Sequence, residues 1–414
     1  MIRAFLLSAA LACSAIAHAE TIVIQNGKVV TNTTVGVLEN ADVVLVDGRI
    51  RAVGVDLPVP RGARVIDAAG SWVTPGIFAA MSQVGLNEIS GSGAPNDAEV
   101  EDDGLSAAVD AGLAFNPTAT AIAVTRIEGV TRLAIAPNAT GSLFSGQGAL
   151  VSMSGQPESL FRPRAFQVLQ IGEEGARRVG GSRAALWPSL QAALRDAREY
   201  PQRYTSGQGG AILDEVDAAA LKPYALGQAQ FVVEVERAVD IRALLTFAAA
   251  NPRLRFVIHG GAEAWQVAGE LAAANIPVIL DPFANLPDRF ERLSARLDNA
   301  ALLHAAGVRI AIAPGPGSVD AHQSRLVLQL AGNAVANGLP WEAAFAAVTS
   351  GPADIYGVGR ELGRLAPGAI ADVVVWDGDP LEVMSAPTAV FIDGRDIPLV
   401  SRQTRLRDRY TPVR

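Results

Sequence analysis

The feature that most restricts the fold is an alternation of strand-like and helix-like segments through the middle of the chain, from about residue 74 to 362. Apolar runs at 131–136, 231–236, 254–259, 276–281 and 307–312 read as strands, and 240–250, 262–274 and 324–337 read as helices. Strands joined by helical crossovers form a parallel sheet covered by helices. Weaker strand signals at 74–80, 148–154 and 164–171 bring the number to eight, which predicts an α/β fold of the (β/α)8 TIM-like barrel type. An open doubly wound sheet is the competing architecture. No G-x-G-x-x-G opens the first strand-to-helix turn, which removes the main signal for it.

Both flanks read differently. Thr21–Val30 contains Asn26-Gly27, Ala41–Gly54 contains Asp47-Gly48, and Ala63–Thr74 holds a further strand. Past the alternating region, Ala371–Trp376 runs into Asp377-Gly378-Asp379-Pro380, and Ala389–Ile392 into Asp393-Gly394. Asn-Gly and Asp-Gly between β-rich runs favour tight hairpin turns. The expectation is a small composite β-sandwich from residues 20–73 and 363–414, enclosing a barrel domain at 74–362.

Residues 1–19 read as a removable leader. Arg3 supplies a positive charge, Ala4–Ile16 an apolar run, and Ala17-His18-Ala19 an A-x-A cleavage motif, so a signal peptide cut after Ala19 is expected. The run is too short to span about 30 Å of hydrocarbon. Lipoprotein processing at Cys13 is disfavoured by Ala10, since a large aliphatic residue belongs there. The mature protein is then expected in the periplasm or outside the cell, with no membrane span. Cys13 is the only cysteine, so neither a disulfide nor a thiolate site survives cleavage. Of the 4 histidines, His18 leaves with the leader, and His259, His304 and His322 remain. With 34 basic against 42 acidic side chains and a net charge of −8, the chain lacks the basic footprint of a nucleic-acid binder.

Three segments carry a family resemblance. Ser71-Trp72-Val73-Thr74-Pro75-Gly76 resembles the lead-in to the barrel of the amidohydrolase superfamily, and 363–376 (Gly-Arg-Leu-Ala-Pro-Gly-Ala-Ile-Ala-Asp-Val-Val-Val-Trp) resembles its exit. Residues 334–353 are similar to the helical region between. The resemblance is closest to imidazolonepropionase-like members. It implies hydrolysis of C–N bonds, of non-peptide amides or small peptides, by water activated on zinc or another divalent ion. It also implies metal ligands at the C-terminal ends of the barrel strands: His-x-His on the first strand, a mid-barrel Lys or Glu, two later histidines and a final Asp.

This chain departs from that pattern at each position. Met81 and Gln83 stand where the first two histidines belong, and a thioether is a poor ligand for a borderline divalent ion. The only lysines, Lys28 and Lys222, lie outside the mid-barrel strand, whose Ala165-Phe166-Gln167-Val168-Leu169 has no acid. Glu236 sits near one later histidine position. His259 is one residue out of register with the other, a shift that would turn its side chain to the opposite face. The last strand runs into Ala313-Pro314-Gly315, with Gly315 in place of the Asp. No resident metal or other cofactor is therefore expected.

Glu236, His259 and Asp281 remain as candidate catalytic residues, each at the predicted C-terminal end of a strand, where barrel enzymes keep their chemistry. A carboxylate beside a histidine supports acid–base work. The same trio also suits a closed pocket in which the groups satisfy one another. Glu234 either faces the barrel interior or pairs with Arg237. The acidic run Asp97–Asp103 lacks the spacing of a calcium loop and reads as solvated. Gly141–Gly155 lacks the Gly-Lys-Ser/Thr ending of a phosphate cradle, and no G-x-S-x-G marks a serine hydrolase. Gly260-Gly261 reads as a tight turn, and Trp265 and Trp341 read as packing residues. Three functions follow: a metal-free pseudoenzyme or partner subunit beside an active amidohydrolase relative or a second copy of itself; an active amidohydrolase with an atypical site; or a periplasmic small-molecule-binding protein.

Overall fold

The structure, a computed structural model, describes residues 20–88, 96–100, 104–205, 209–318 and 322–411. The leader, and residues 101–103 of the acidic run, lie outside the described residues.

Eight strands form the central sheet: β1 (Ile77–Ser82), β2 (Val130–Ile135), β3 (Phe144–Ser152), β4 (Leu160–Gln170), β5 (Gln230–Val235), β6 (Phe256–Gly260), β7 (Val278–Leu280) and β8 (Ile310–Ile312). They lie side by side in sequence order. β1 and β2 pair in parallel, as do β4 through β8, whereas β3 runs antiparallel to both β2 and β4. The segments on either side of β3 explain this. Residues 136–143 and 153–159 are shorter than the dozen or so that a parallel crossover needs, and no α-helix fits in them. The barrel closes through Ala347 and Val348. Val348 O accepts from Phe78 N of β1 (2.8 Å), and Ala347 O accepts from Ile312 N of β8 (2.9 Å).

Alternation along the strands divides the core in two. Phe166, Val168, Val232, Val257, Ile279 and Ala311 fill the barrel, while Leu169, Phe231, Val233, Ile258 and Ile312 pack under the helices. The N-terminal end of the barrel is stopped by Tyr356, which follows the helix Ser350–Ile355. Its ring lies 5.2 Å from Phe166 and 6.2 Å from Phe78, and its hydroxyl donates to Ala80 O at 2.6 Å.

The two termini build one mixed, continuously hydrogen-bonded sheet of eight strands. Thr21–Val30 is its pivot. Its first half pairs with Arg64–Asp67 and its second with Trp72–Pro75. The strand is bulged between Ile24 and Val29, so Asn26-Gly27 is a bulge inside a strand and not the expected hairpin. Gly27 is required there, because a Cβ would lie 2.5 Å from Val73 Cγ2. The bent sheet encloses its own core, with Ile22, Ile24, Val43 and Leu45 from one end of the chain and Val373 and Phe391 from the other. Asp47-Gly48 and Asp393-Gly394 do form tight turns, all four residues having positive φ.

The sheet is tied to the barrel by buried Arg132 on β2. Its guanidinium donates to Asp372 (2.6 and 2.9 Å) and to Asp393 (2.5 Å). The candidate site lies at the C-terminal ends of β1, β4, β5 and β6, where Ser82, Gln170, Glu234 and His259 line one cavity.

Candidate functional site

Glu234 and His259 face each other across β5 and β6, in register. Alternation from Val232 and Val257 turns both side chains into the barrel mouth, so His259 is not reversed as its offset from the family position suggested. His259 Nδ1 lies 3.1 Å from Glu234 Oε1, and Nε2 lies 2.9 Å from Pro314 O. A carbonyl and a carboxylate only accept hydrogen bonds. Pro314 O requires a proton on Nε2, and an ionised Glu234 requires one on Nδ1 as well, which pairs an imidazolium with a carboxylate.

Electrostatics favour the same state. Burial works against the charged ring, but Glu234, the Pro314 carbonyl and the field of Glu236 outweigh it and raise the His259 pKa above its ordinary value. Burial likewise works against the Glu234 carboxylate. His259, Gln170 and Arg178 together overcome it and hold the Glu234 pKa below the usual range.

The pair is anchored in a wider network. Gln170, at the end of β4, donates through Nε2 to Glu234 Oε2 (2.8 Å) and to Ser145 Oγ (3.1 Å). Arg178 donates to Ser145 Oγ (3.0 Å), Ala139 O (2.7 Å) and Ser142 O (3.0 Å), and pairs with Glu174 at 2.7 Å. Arg178 lies in the helix Gly172–Arg178, which begins directly after β4 and so delivers a cation to the mouth.

Glu236 and Asp281 do not join His259 by any hydrogen bond. Glu236 is buried against Arg292, which donates to its Oε1 from Nε (3.0 Å) and Nη2 (2.5 Å), while Ala262 N donates to its Oε2 (2.9 Å). Gly260 approaches so closely that a Cβ there would lie 2.9 Å from Glu236. Asp281 accepts from Phe283 N (2.8 Å) and Gly315 N (3.2 Å), and burial raises its pKa. Both carboxylates thus organise the segment 282–298. Trp265 helps to pin it, donating from Nε1 to Ser294 O at 2.9 Å.

Above the network lies a cavity of about 340 Å3. Met81, Gln83 and Gly315 line it, so the three replacement residues do meet in one place. Among the described residues, no three His, Cys, Asp or Glu side chains gather as a metal cluster. His304 is exposed on the helix Asn299–Ala305, and His322 lies in the segment after β8. The donors at the mouth are a buried thioether, an amide, a His259 ring whose two nitrogens lie against oxygen, and two carboxylates already engaged, Glu234 by His259 and Gln170 and Glu174 by Arg177 and Arg178. That set does not fit a divalent ion, which needs neutral imidazole or free carboxylate.

Glu234 was readable from sequence only as one of two alternatives, and the structure settles it in the barrel. Gln170, Ser145 and Arg178 carry no sequence motif. The only available signal was the position of Gln170 at a strand's C-terminal end, with the inward parity of Phe166 and Val168.

An amidohydrolase family model matches residues 258–399. Amidohydrolase tasK of Hapsidospora irregularis is 27% identical over 402 residues, covering 85% of this chain and 39% of that one. Imidazolonepropionase of Acidiphilium cryptum (strain JF-5) is 27% identical over 396 residues, covering 85% and 90%. The chain thus spans about two fifths of the first relative and nearly all of the second. Among solved structures, an amidohydrolase from Thermotoga maritima MSB8 superposes with a TM-score of 0.80 at 24% identity, covering 91% of this chain and 99% of that one. A putative prolidase from Bifidobacterium longum gives 0.55 at 18%, covering 95% and 99%. Over residues 258–399 the chain is thus similar to the amidohydrolase family, and its barrel has the fold of the Thermotoga maritima amidohydrolase.

Proposed function

We propose that this chain is an exported, metal-free member of the superfamily that keeps its barrel mouth as a pocket for a small polar molecule. The observation that carries this reading is the locking of His259, with Nδ1 on Glu234 and Nε2 on Pro314 O. A metal ligand must present a lone pair, so an ion bound by this ring would have to displace a proton and break the contact with Glu234 or Pro314. The cavity remains open above it, lined by Gln83, Asn138, Thr140, Gln170 and Arg177, side chains suited to hydrogen-bonding a polar ligand. Relatives named imidazolonepropionase and amidohydrolase support a ligand that carries an amide-like group.

The test is imidazole 15N NMR of the mature protein, with His259 assigned through a His259→Gln variant. Two protonated ring nitrogens, unmoved by stoichiometric zinc chloride, are expected. A zinc-induced loss of the Nε2 proton overturns the reading.

A second reading, a subunit in an assembly, rests on a separate observation. Phe283, Leu286, Phe290 and Leu293 are all exposed on the segment beside the mouth. Clustered apolar side chains of this size mark association surfaces. The matched part of the first relative is also only 39% of a longer chain, which leaves room there for a covalently attached neighbour. Sedimentation velocity decides it. An assembly that dissociates in a Leu286→Ser/Phe290→Ser variant supports the subunit reading, and a wild-type monomer removes self-association.

A further inference from the structure

A second cavity, of about 830 Å3, opens at the N-terminal end of the barrel, opposite the mouth. In a barrel fold this end normally serves stability alone. Here its lining is cationic. Arg162 and Arg164 stand at the start of β4, Arg255 just before β6 and Arg309 just before β8. Among the described residues, three of the four guanidinium groups meet only neutral oxygens. Arg162 donates to Tyr356 O (2.9 Å), Arg255 to Gln228 O (2.8 Å) and Arg309 to Asn275 Oδ1 (2.9 Å). Arg164 pairs with Asp110 at 2.8 Å. Asp354 is the one acid in the lining among the described residues, and Arg364 already holds both of its oxygens, at 2.9 and 2.6 Å.

Three uncompensated cations around one cavity run against a chain whose net charge is −8. They repel one another, and an anion relieves that repulsion while accepting several charge-assisted hydrogen bonds. Gln230, at the start of β5, lines the same cavity. It is 9% exposed, and its Nε2 has no hydrogen-bond partner. A buried donor left unmade is unfavourable until an acceptor reaches it. Leu245, Ala249, Pro252 and Ile276 supply apolar wall.

We propose that this cavity is a binding site for a small organic anion, with at least two negative charges and an apolar body, separate from the pocket at the mouth. The guanidinium groups hold the charged head, and the walls take the body. The head chemistry is that of a phosphate monoester or a di-carboxylate.

Isothermal titration with phenyl phosphate tests the site, with inorganic phosphate and phenol as the two halves of the probe. One phenyl phosphate per chain is expected, bound more tightly than either half and weakened by added salt. An Arg255→Gln/Arg309→Gln variant should bind at least tenfold more weakly. Both arginines are exposed, so the variant should melt like the wild type, which circular dichroism checks. Gln170→Ala, at the opposite end, should bind phenyl phosphate as the wild type does. Absence of saturable binding at millimolar phenyl phosphate overturns the proposal. So does binding unaffected by the double arginine variant, or binding lost in Gln170→Ala, which would place the anion at the mouth. The NMR test of His259 is independent of each of these outcomes.

Discussion

Replacing Glu234 by Gln isolates the charge of the barrel-mouth pair. A glutamine at this position can still accept from Gln170 and can donate to a neutral His259 Nδ1, so the hydrogen bonds are conserved in number. What disappears is the carboxylate–imidazolium attraction, across 3.1 Å between a ring 3% exposed and a carboxylate 19% exposed. A charge-assisted hydrogen bond contributes about 1.5–3 kcal/mol and a neutral one about 1. The residual exposure of Glu234 favours the middle of the difference, roughly 1–2 kcal/mol. Spread over an unfolding entropy of about 0.8 kcal/mol per kelvin for a chain of this length, that is a fall in Tm of about 1–3 °C.

The pH dependence gives the sharper test. His259 has a raised folded pKa, so its contribution is complete below the unfolded value of about 6.5 and is lost as pH rises through the folded value. Glu234 has a lowered folded pKa, so its contribution is complete above about 4.5 and is lost as pH falls through the folded value. The wild type should therefore exceed the variant most between those limits, near pH 6, and the gap should narrow as pH rises through the folded value of His259. Differential scanning calorimetry from pH 5 to 9 measures it. A gap that is constant, or that widens with pH, refutes an ionised pair.

Three further substitutions probe the supports of the site. Arg292→Ala leaves buried Glu236 without its counter-charge and should cost about 3 kcal/mol, with faster proteolysis within 282–298 as the readout. Tyr356→Phe removes the hydroxyl donated to Ala80 O and should lower stability by about 1 kcal/mol, whereas Tyr356→Ala also opens the barrel end and should cost about 3–5, both read by chemical denaturation. Gly148→Ala on β3 places a Cβ 2.1 Å from the Phe166 ring and should destabilise by about 1–3 kcal/mol, measured the same way.

Much of the fold is legible in the sequence because its signals are local. The five clear strands are short apolar runs bounded by turn residues and lie within three residues of where that pattern puts them, whereas Phe144–Ser152 and Leu160–Gln170 each begin four residues earlier than expected. The reversal of β3 is less legible, since direction depends on loop length and pairing rather than on the strand's own residues. The bulge at Asn26-Gly27 misleads for a related reason: the same dipeptide serves a hairpin or a bulge, and the packing of Val73 against Gly27 decides between them. At the site, His259 was visible because histidines are so few. Its offset from the family register suggests a reversed face, yet parity with Val257 turns it inward. Its partner was less visible. Glu234 and Glu236 share a parity, and only the presence of Arg292, far along the chain, draws Glu236 away and leaves Glu234 for the ring. Gln170, Ser145 and Arg178 come from three different elements, and nothing in their spacing announces that they meet.

The central claim is that the barrel mouth holds no catalytic metal, because its donors have been replaced and its one histidine is committed to oxygen. Elemental mass spectrometry of the mature protein, purified without chelators or a histidine tag, tests it most directly. Zinc, manganese, iron, cobalt and nickel each well below one atom per chain is the predicted result. Near-stoichiometric metal that disappears in a His259→Ala variant would contradict it.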